Sequence, residues 1–394
     1  MSELKVSIIG VGNMGSAHAK HIVDGCVNEM TLAAICDIDP VKQEWARRNL
    51  GASVAVYSDY HQLLDDHICD AIIIATPHYL HPVIAIEAFQ KGYHVLSEKP
   101  AGVYTKAVRE ENDVAARSGK VFALMYNQRT NPLYQKAREL VQSGELGEPK
   151  RLVWIITNWY RTQAYYDSGA WRATWAGEGG GVLLNQCPHN LDLWQWIFGM
   201  PKSIHAKCSV AKYHDIEVED DVTITAEYEN GATACFITTT GEYPGTNRLE
   251  ISGDRGKLVI EGGRMTIDRL ETPEREVNRT TSEGFASIPY TTEVIESTDP
   301  GSAHVGILQN FTNHIFHGEP LLSSGYEGIN GLTISNAAFL SDWTGKEIAL
   351  PLDEDLFYEL LMERVKTSRH KENVAPSRIE DLSGTYNVRW QGRK

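Results

Sequence analysis

Three groups of residues have types and spacings that could do chemistry. Gly10-Val11-Gly12-Asn13-Met14-Gly15 is a Gly-x-Gly-x-x-Gly run that follows the apolar pattern Lys5–Ile9 and opens a helical one. In that context Gly10 permits a tight turn, Gly12 lets a diphosphate approach the backbone, and Gly15 lets helix and strand pack closely. Asn13 and Met14 then stand at a helix N-terminus, where N–H groups and the positive end of the helix dipole favour an anion. Asp37 ends the second strand pattern with Ile38 behind it, where an acid hydrogen-bonds the adenosine ribose hydroxyls in NAD-binding folds. Its charge opposes a 2′-phosphate, and no arginine follows in Ile38-Asp39-Pro40, so the expectation is NAD over NADP. Thr76-Pro77-His78, with His81 beyond, follows the third apolar strand and should touch the cofactor, because ligands of doubly wound sheets bind at the carboxyl ends of strands. His78 and His81 lack a third ligand nearby, so no metal is expected.

The second group is Ser97-Glu98-Lys99-Pro100, at the end of the next strand pattern. A lysine there, beside a nicotinamide, can orient a hydroxyl and help lower its pKa; by residue type alone Lys99 reads equally as a surface lysine. The third group runs from Gly179-Gly180-Gly181 to Asn185-Gln186-Cys187-Pro188-His189 and Asp192. If Asn185 opens a helix, Asn185, His189 and Asp192 share one face. Histidine suits proton transfer near neutral pH, although the flank Leu191, Leu193 and Trp194 also fits a satisfied, half-buried histidine.

The elements that must position these residues fall into two patterns. Up to about residue 125, strand patterns (Leu4–Gly10, Thr31–Asp37, Ala71–Thr76, His94–Ser97, Val121–Tyr126) alternate with helical ones (Ser16–Asp24, Pro40–Asn49, Tyr60–Asp66, Pro82–Lys91, Lys106–Ser118). That alternation predicts βαβ units in a doubly wound parallel sheet. Asn131, Pro132 and Gly144 punctuate a further helix. Beyond it, Arg151–Tyr160, Val222–Tyr228 and Ala232–Thr240 read as strands, the last two joined by Glu229-Asn230-Gly231 with its Asn-Gly hairpin signal. The expectation is therefore an α/β chain: a Rossmann domain over 1–125, then an α+β domain over 126–394 with a large open, mainly antiparallel sheet. Asn185–Phe198, His304–Phe316, Glu327–Thr344 and a stretch around Leu356–Val365 read as its helices; Arg264–Gly301 reads as loop, and the chain from about 371 as a tail or interface arm.

Composition excludes several classes. Among 394 residues, 37 basic and 52 acidic side chains give a net charge of −15. That disfavours nucleic acid and anionic membranes as partners. No apolar run is long enough to span a bilayer, a strand pattern begins at Leu4 with no charged leader before it, and six scattered cysteines form no Cys-x-x-Cys pair. A reduced, cytoplasmic protein is expected.

Taken together, Gly10–Gly15, Glu98-Lys99-Pro100 and the glycine-rich run leading to His189 and Asp192 resemble the glucose–fructose oxidoreductase, inositol dehydrogenase and MocA (Gfo/Idh/MocA) family over roughly residues 4–345. The resemblance implies NAD(P)-dependent oxidation of a secondary alcohol on a sugar, glycoside, cyclitol or related polyol. It gives Lys99 as partner of the substrate hydroxyl, His189 as the proton-transfer residue, and Trp171-Arg172 as a pair reaching the nicotinamide cofactor. The chain departs from the pattern twice: the usual Asp-x-Gly-x-His is Asn185-Gln186-Cys187-Pro188-His189, and the usual Asn after Thr-Pro is His78. Asn185 cannot take a proton as a carboxylate can, so it is expected to orient substrate hydroxyls.

Six of nine tryptophans lie between Trp154 and Trp196, interleaved with polar side chains, as suits a sugar with an apolar face and polar rim. Tyr160 and Tyr166 are the expected substrate contacts. The main expectation is an NAD-dependent sugar or cyclitol dehydrogenase. Two alternatives stand beside it: an NAD-retaining glycosidase working through a transient keto-sugar, and a non-enzymatic sugar or NAD sensor. Val222, Ile224, Ala226 and Tyr228 share one strand face, as do Ala232, Ala234 and Phe236. With one sheet face packed on helices, the other needs a partner, so a homo-oligomer is expected, a tetramer ahead of a dimer.

Overall fold

The computed structural model describes residues 3–369 and Lys371; the expected tail beyond Lys371 lies outside the described residues. The first part of the chain alternates as its apolar periodicity requires: β1 (Leu4–Ile9), α1 (Asn13–Val23), β2 (Met30–Cys36), α2 (Pro40–Asn49), β3 (Ala55–Tyr57), α3 (Tyr60–Asp65), β4 (Ala71–Ile74), α4 (Leu80–Gln90), β5 (His94–Ser97), α5 (Thr105–Ser118) and β6 (Phe122–Leu124). The six strands pair in parallel in the order β3-β2-β1-β4-β5-β6. This is a Rossmann arrangement, whose order reverses between β1 and β4 and so opens a crevice there. All four residues of β4 are buried, as a sheet covered on both faces demands. Local capping sets several helix starts. The Asp39 carboxylate accepts from Val41 N at 2.8 Å ahead of α2. Asn131 does the same for Leu133 N at 2.9 Å ahead of α6 (Pro132–Gln142).

The second part contains β7 (Pro149–Ile156), α7 (Gln163–Asp167), α8 (Pro188–Phe198), β8 (Ser203–Val210), β9 (Glu219–Glu227), β10 (Thr233–Thr239), β11 (Asn247–Gly253), β12 (Gly256–Glu261), β13 (Arg264–Leu270), α9 (Glu274–Thr280), β14 (Tyr290–Glu296), α10 (Ala303–His317), α11 (Gly328–Thr344), β15 (Ile348–Ala349) and α12 (Glu354–Lys366). Its nine strands run β14-β13-β12-β11-β7-β10-β9-β8-β15. Every pairing is antiparallel except β7 with β10, because the first strand of the sheet inserts at its centre. The hairpin between β9 and β10 is closed by Gly231, whose φ of +81° favours glycine.

One face of this sheet is packed. Trp154, Ile224, Phe236 and Leu249 are at most 1 % exposed, and Trp194 of α8 stacks on Phe236 with ring centroids 5.8 Å apart. Truncating such an aromatic would cost about 3–5 kcal/mol. Val222, Ile224, Ala226, Ala234 and Phe236 all lie on this inner face and are buried within the chain itself. The opposite face presents Arg151, Val153, Ile155, Arg248 and Glu250, which line a cavity of about 240 Å³.

Three expectations are corrected. The helix does not open at Asn185 but at Pro188, whose ring suits a first turn and disfavours helix before it. Arg264–Gly301 holds two strands and a helix; β14 is almost wholly exposed, so no apolar alternation marks it in the sequence. Finally, α10 packs Ile307, Leu308 and Phe311 into the core around Leu4, Val6 and Ile8, so a late helix completes the first sheet's packing.

Candidate active site

The cofactor crevice is built where β1 and β4 diverge. Gly10 has φ +95°, and a Cβ there would stand 2.5 Å from the Ala75 carbonyl oxygen. A Cβ on Gly15 would strike the Gly10 oxygen at 1.9 Å, whereas one on Gly12 would meet no protein atom within 4 Å. Packing thus excludes side chains behind the loop while open space lies above Gly12, the cradle a diphosphate needs. Asp37 closes the other side. Its Oδ2 accepts from Val11 N at 2.7 Å and its Oδ1 from Asp39 N at 2.9 Å. The acid at the end of β2 is therefore locked to the glycine loop, beside Ile38, which is 87 % exposed.

The loop after β4 is held by its histidines. His81 places Nδ1 2.8 Å from the Pro100 oxygen and Nε2 2.7 Å from the Thr76 oxygen, tying this loop to the one after β5. Burial lowers the pKa of His81. Buried His78 places Nδ1 3.1 Å from the Glu178 carbonyl oxygen, and its ring meets the edge of Trp171 at 5.6 Å. Pro77 stands between Thr76 and His78 in this loop. Both histidines face backbone, and among the described residues no group of His, Cys, Asp and Glu is arranged to hold a metal.

Glu98 is buried. Burial raises its pKa, but the hydrogen bond to His18 (Oε1 to Nε2, 2.7 Å) with the charges of His18, His304 and Lys99 brings it down to about 2. Its Oε2 accepts from Lys99 N at 3.1 Å. Lys99 Nζ donates to the backbone oxygen of Asn185 at 2.8 Å, across the two parts of the chain. Burial lowers the Lys99 pKa, opposed by Glu98 and Glu178. His189, in the first turn of α8, is 8 % exposed; burial and then the Lys99 charge hold its pKa well below the ordinary histidine value, so the imidazole is neutral.

The turns over residues 181–187 that deliver Asn185 hang on Glu219, whose carboxylate accepts from Gly181 N at 2.8 Å and Leu183 N at 3.0 Å. These turns, rather than helical periodicity, set Asn185 ahead of His189. Asp192 turns away: it forms a buried two-pronged pair with Arg129, Nη2 to Oδ1 at 2.6 Å and Nε to Oδ2 at 2.8 Å.

The aromatic residues are distributed differently from the sequence expectation. The Tyr166 hydroxyl is engaged with Thr240 Oγ1 at 2.7 Å, and Tyr160, 41 % exposed, leans on Tyr243 at 5.6 Å. It is Tyr165 that meets Asn185, donating to Oδ1 at 3.3 Å and accepting from Arg172 Nη1 at 2.8 Å. Trp171 touches the cofactor loop through His78, while Arg172 lies over Tyr165 and Trp171. Sequence reasoning counted Tyr165 in the aromatic cluster but preferred Tyr160 and Tyr166, and it passed over His18 and Glu178; of these two only Glu178 carried a signal, as a charged residue in a glycine-rich run.

Comparison with known proteins follows the same lines. Residues 4–126 match the model of the oxidoreductase family with an NAD-binding Rossmann fold, and residues 134–259 match that of the GFO/IDH/MocA C-terminal domain. The chain is 30% identical over 251 residues to D-glucoside 3-dehydrogenase of Escherichia coli, covering 58% of this chain and 68% of that one. It is 23% identical over 340 residues to myo-inositol 2-dehydrogenase of Thermotoga maritima, covering 85% and 95%. Its fold superposes with a TM-score of 0.77 and 25% identity on the WlbA dehydrogenase of Bordetella pertussis in complex with NADH and UDP-GlcNAcA, covering 90% and 99%.

Proposed function

The chain belongs to the Gfo/Idh/MocA family of NAD-binding oxidoreductases, and we propose that it transfers a hydride between a ring secondary hydroxyl of a sugar, glycoside or cyclitol and NAD. The observation that carries this reading is the Lys99 ammonium, fixed by the Asn185 carbonyl 2.8 Å away, with the neutral imidazole of His189 in its field. Bound in this crevice, NAD would supply the acceptor for a hydride from the ring carbon. Lys99 stabilises the developing alkoxide. His189, neutral because it is buried beside a cation, takes the hydroxyl proton. Asn185 orients a substrate hydroxyl.

For the cofactor, Gly10, Gly12, Asn13, Met14 and Gly15 would hold the diphosphate and Asp37 the adenosine ribose. The exposed Ile38 side chain suits the adenine face. Thr76, Pro77, His78, Glu98 and Trp171 would line the nicotinamide end, with His81 bracing the loop. The names of two relatives support the polyol reading, a glucoside dehydrogenase and an inositol dehydrogenase. Residues 1–125 serve as the cofactor domain and the following sheet domain as the substrate and assembly domain. We read the protein as a homo-oligomer built on the open sheet face, and as cytoplasmic from its free cysteines. Among the described residues no helix is long and apolar enough to cross a membrane.

The test is NADH formation from NAD+ with a panel of inositols, hexoses and methyl glycosides. Net turnover with at least one member supports the reading. No turnover with any, under conditions where NADH binding is measured, refutes the assigned chemistry.

A further inference from the structure

Asn185 stands where the family pattern has an acid, yet a carboxylate is still present, one side chain further back. Glu178 is 1 % exposed and enters from the glycine-rich run. Its Oε2 accepts from Ala173 N at 2.5 Å, and its Oε1 accepts a close hydrogen bond from Asn185 Nδ2. Its backbone oxygen faces His78 of the cofactor loop at 3.1 Å. One residue therefore touches the Trp171–Ala173 turn, the cofactor loop and Asn185.

We propose that Glu178 is a positioning residue for Asn185: its carboxylate engages the amide nitrogen, so that the amide oxygen is the group Asn185 turns towards Tyr165 and the substrate. Two constraints fix that orientation independently. Burial raises the Glu178 pKa, but while it is ionised the reversed amide would set the Asn185 oxygen against its carboxylate, two acceptors with no proton between them. From the other side, the Tyr165 hydroxyl oxygen already receives Arg172 Nη1 at 2.8 Å and Gln186 Nε2 at 3.3 Å, so its own proton must be donated onward. The partner it finds is Asn185 Oδ1, at 3.3 Å. Asn185 thus presents an acceptor, as an aspartate would, while the negative charge is held behind it and out of contact with the substrate.

The inference rests on reading Asn185, with Lys99 and His189, as the substrate end of the site. Its test exploits the fact that the pair can be inverted. In E178Q the introduced amide can serve Ala173 N with its oxygen, but then its nitrogen faces the Asn185 nitrogen. Asn185 must flip, offering the substrate a donor. In N185D two carboxylates oppose each other. In the double variant E178Q/N185D every bond is restored with the charge moved one residue forward. The introduced amide oxygen serves Ala173 N, its nitrogen donates to the introduced carboxylate, and an acceptor again faces Tyr165.

The experiment measures kcat and KM on the best substrate of the methyl glycoside and inositol panel, and unfolding midpoints of the same four proteins with NAD+ present. Each single variant is expected to lose about tenfold in kcat/KM, chiefly through KM, the size of one charge-assisted hydrogen bond. The double variant is expected to regain part of the kcat/KM lost in each single variant, with a KM below that of E178Q. An E178Q protein with unchanged KM, or a double variant no better than E178Q, overturns the proposal. If the parent turns over no member of the panel, the functional reading fails and the midpoints alone decide this one. Midpoints lowered in both single variants and recovered in the double support the pairing, and additive losses overturn it.

Discussion

The ammonium of Lys99, at the end of β5, lies 2.8 Å from the carbonyl oxygen of Asn185, a residue 86 positions further along the chain in the other half of the molecule. A single hydrogen bond therefore registers the cofactor-side strand against the substrate-side turn. Its donor is the group we propose meets the alkoxide. Lys99→Ala should lower kcat by about a thousandfold, since an electrostatic stabiliser of this kind is worth about 10²–10³ or more. NADH affinity, measured by fluorescence, should change little. Near-parental turnover would remove Lys99 from the chemistry.

His189 should define the acidic limb of the rate profile. Burial and the Lys99 charge favour its neutral form, so the limb should fall below the ordinary histidine value near 6.5. His189→Ala should lose about 10²–10⁴ in kcat, least at high pH where hydroxide can partly replace a base. An unchanged kcat–pH profile in that variant would contradict proton transfer by this residue.

Asp37 should set cofactor choice. Its carboxylate is pinned to Val11 N at 2.7 Å and cannot swing away from an incoming 2′-phosphate. Titrating NADH and NADPH into the protein should show NADH tighter by tenfold or more, and Asp37→Ser should narrow the ratio. Equal affinities in the parent protein would refute the assignment.

Glu111 of α5 should make stability fall with rising pH. It is fully buried, neither carboxyl oxygen has a hydrogen-bond partner among the described residues, and burial raises its pKa well above the usual value. With the folded pKa above the unfolded one, its contribution is complete below the unfolded value, near 4.5. The contribution is lost as pH rises towards the folded value, because unfolding then releases a proton. Glu111→Gln should therefore raise the unfolding midpoint at pH 8 by a few degrees, ~1 kcal/mol or more, and leave it unchanged near pH 4. Equal shifts at both pH values would argue for a packing effect instead.

The outward sheet face should carry the assembly. Val153 and Ile155 lie there between Arg151 and Arg248 rather than in the core. Light scattering at micromolar concentration should give a multiple of the 43.9 kDa chain mass, a fourfold one for the tetramer. Ile155→Asp should lower that mass, and a parent protein measured at the single-chain value would refute the interface.

The parts legible in the sequence are those whose geometry is local. The glycine loop, Asp37 and Lys99 each follow directly from a strand that ends and a turn or helix that begins within a few residues. Backbone periodicity and glycine placement are enough to locate them. His189 was less so: its helix was expected to open at Asn185 rather than Pro188, and its role came from the family resemblance. What periodicity could not show is which side chain each of them meets. Tyr165 and Tyr166 are neighbours of one type, yet one faces Asn185 and the other Thr240, because a single residue of rotation on a short helix decides it. Asp192 looked like a third site residue until Arg129, 63 positions away, claimed it. Ile307 and Phe311, late in the chain, fill the core beneath β1. Those choices belong to packing between segments far apart in sequence, where a buried polar group takes whichever partner the assembled core leaves within hydrogen-bond reach.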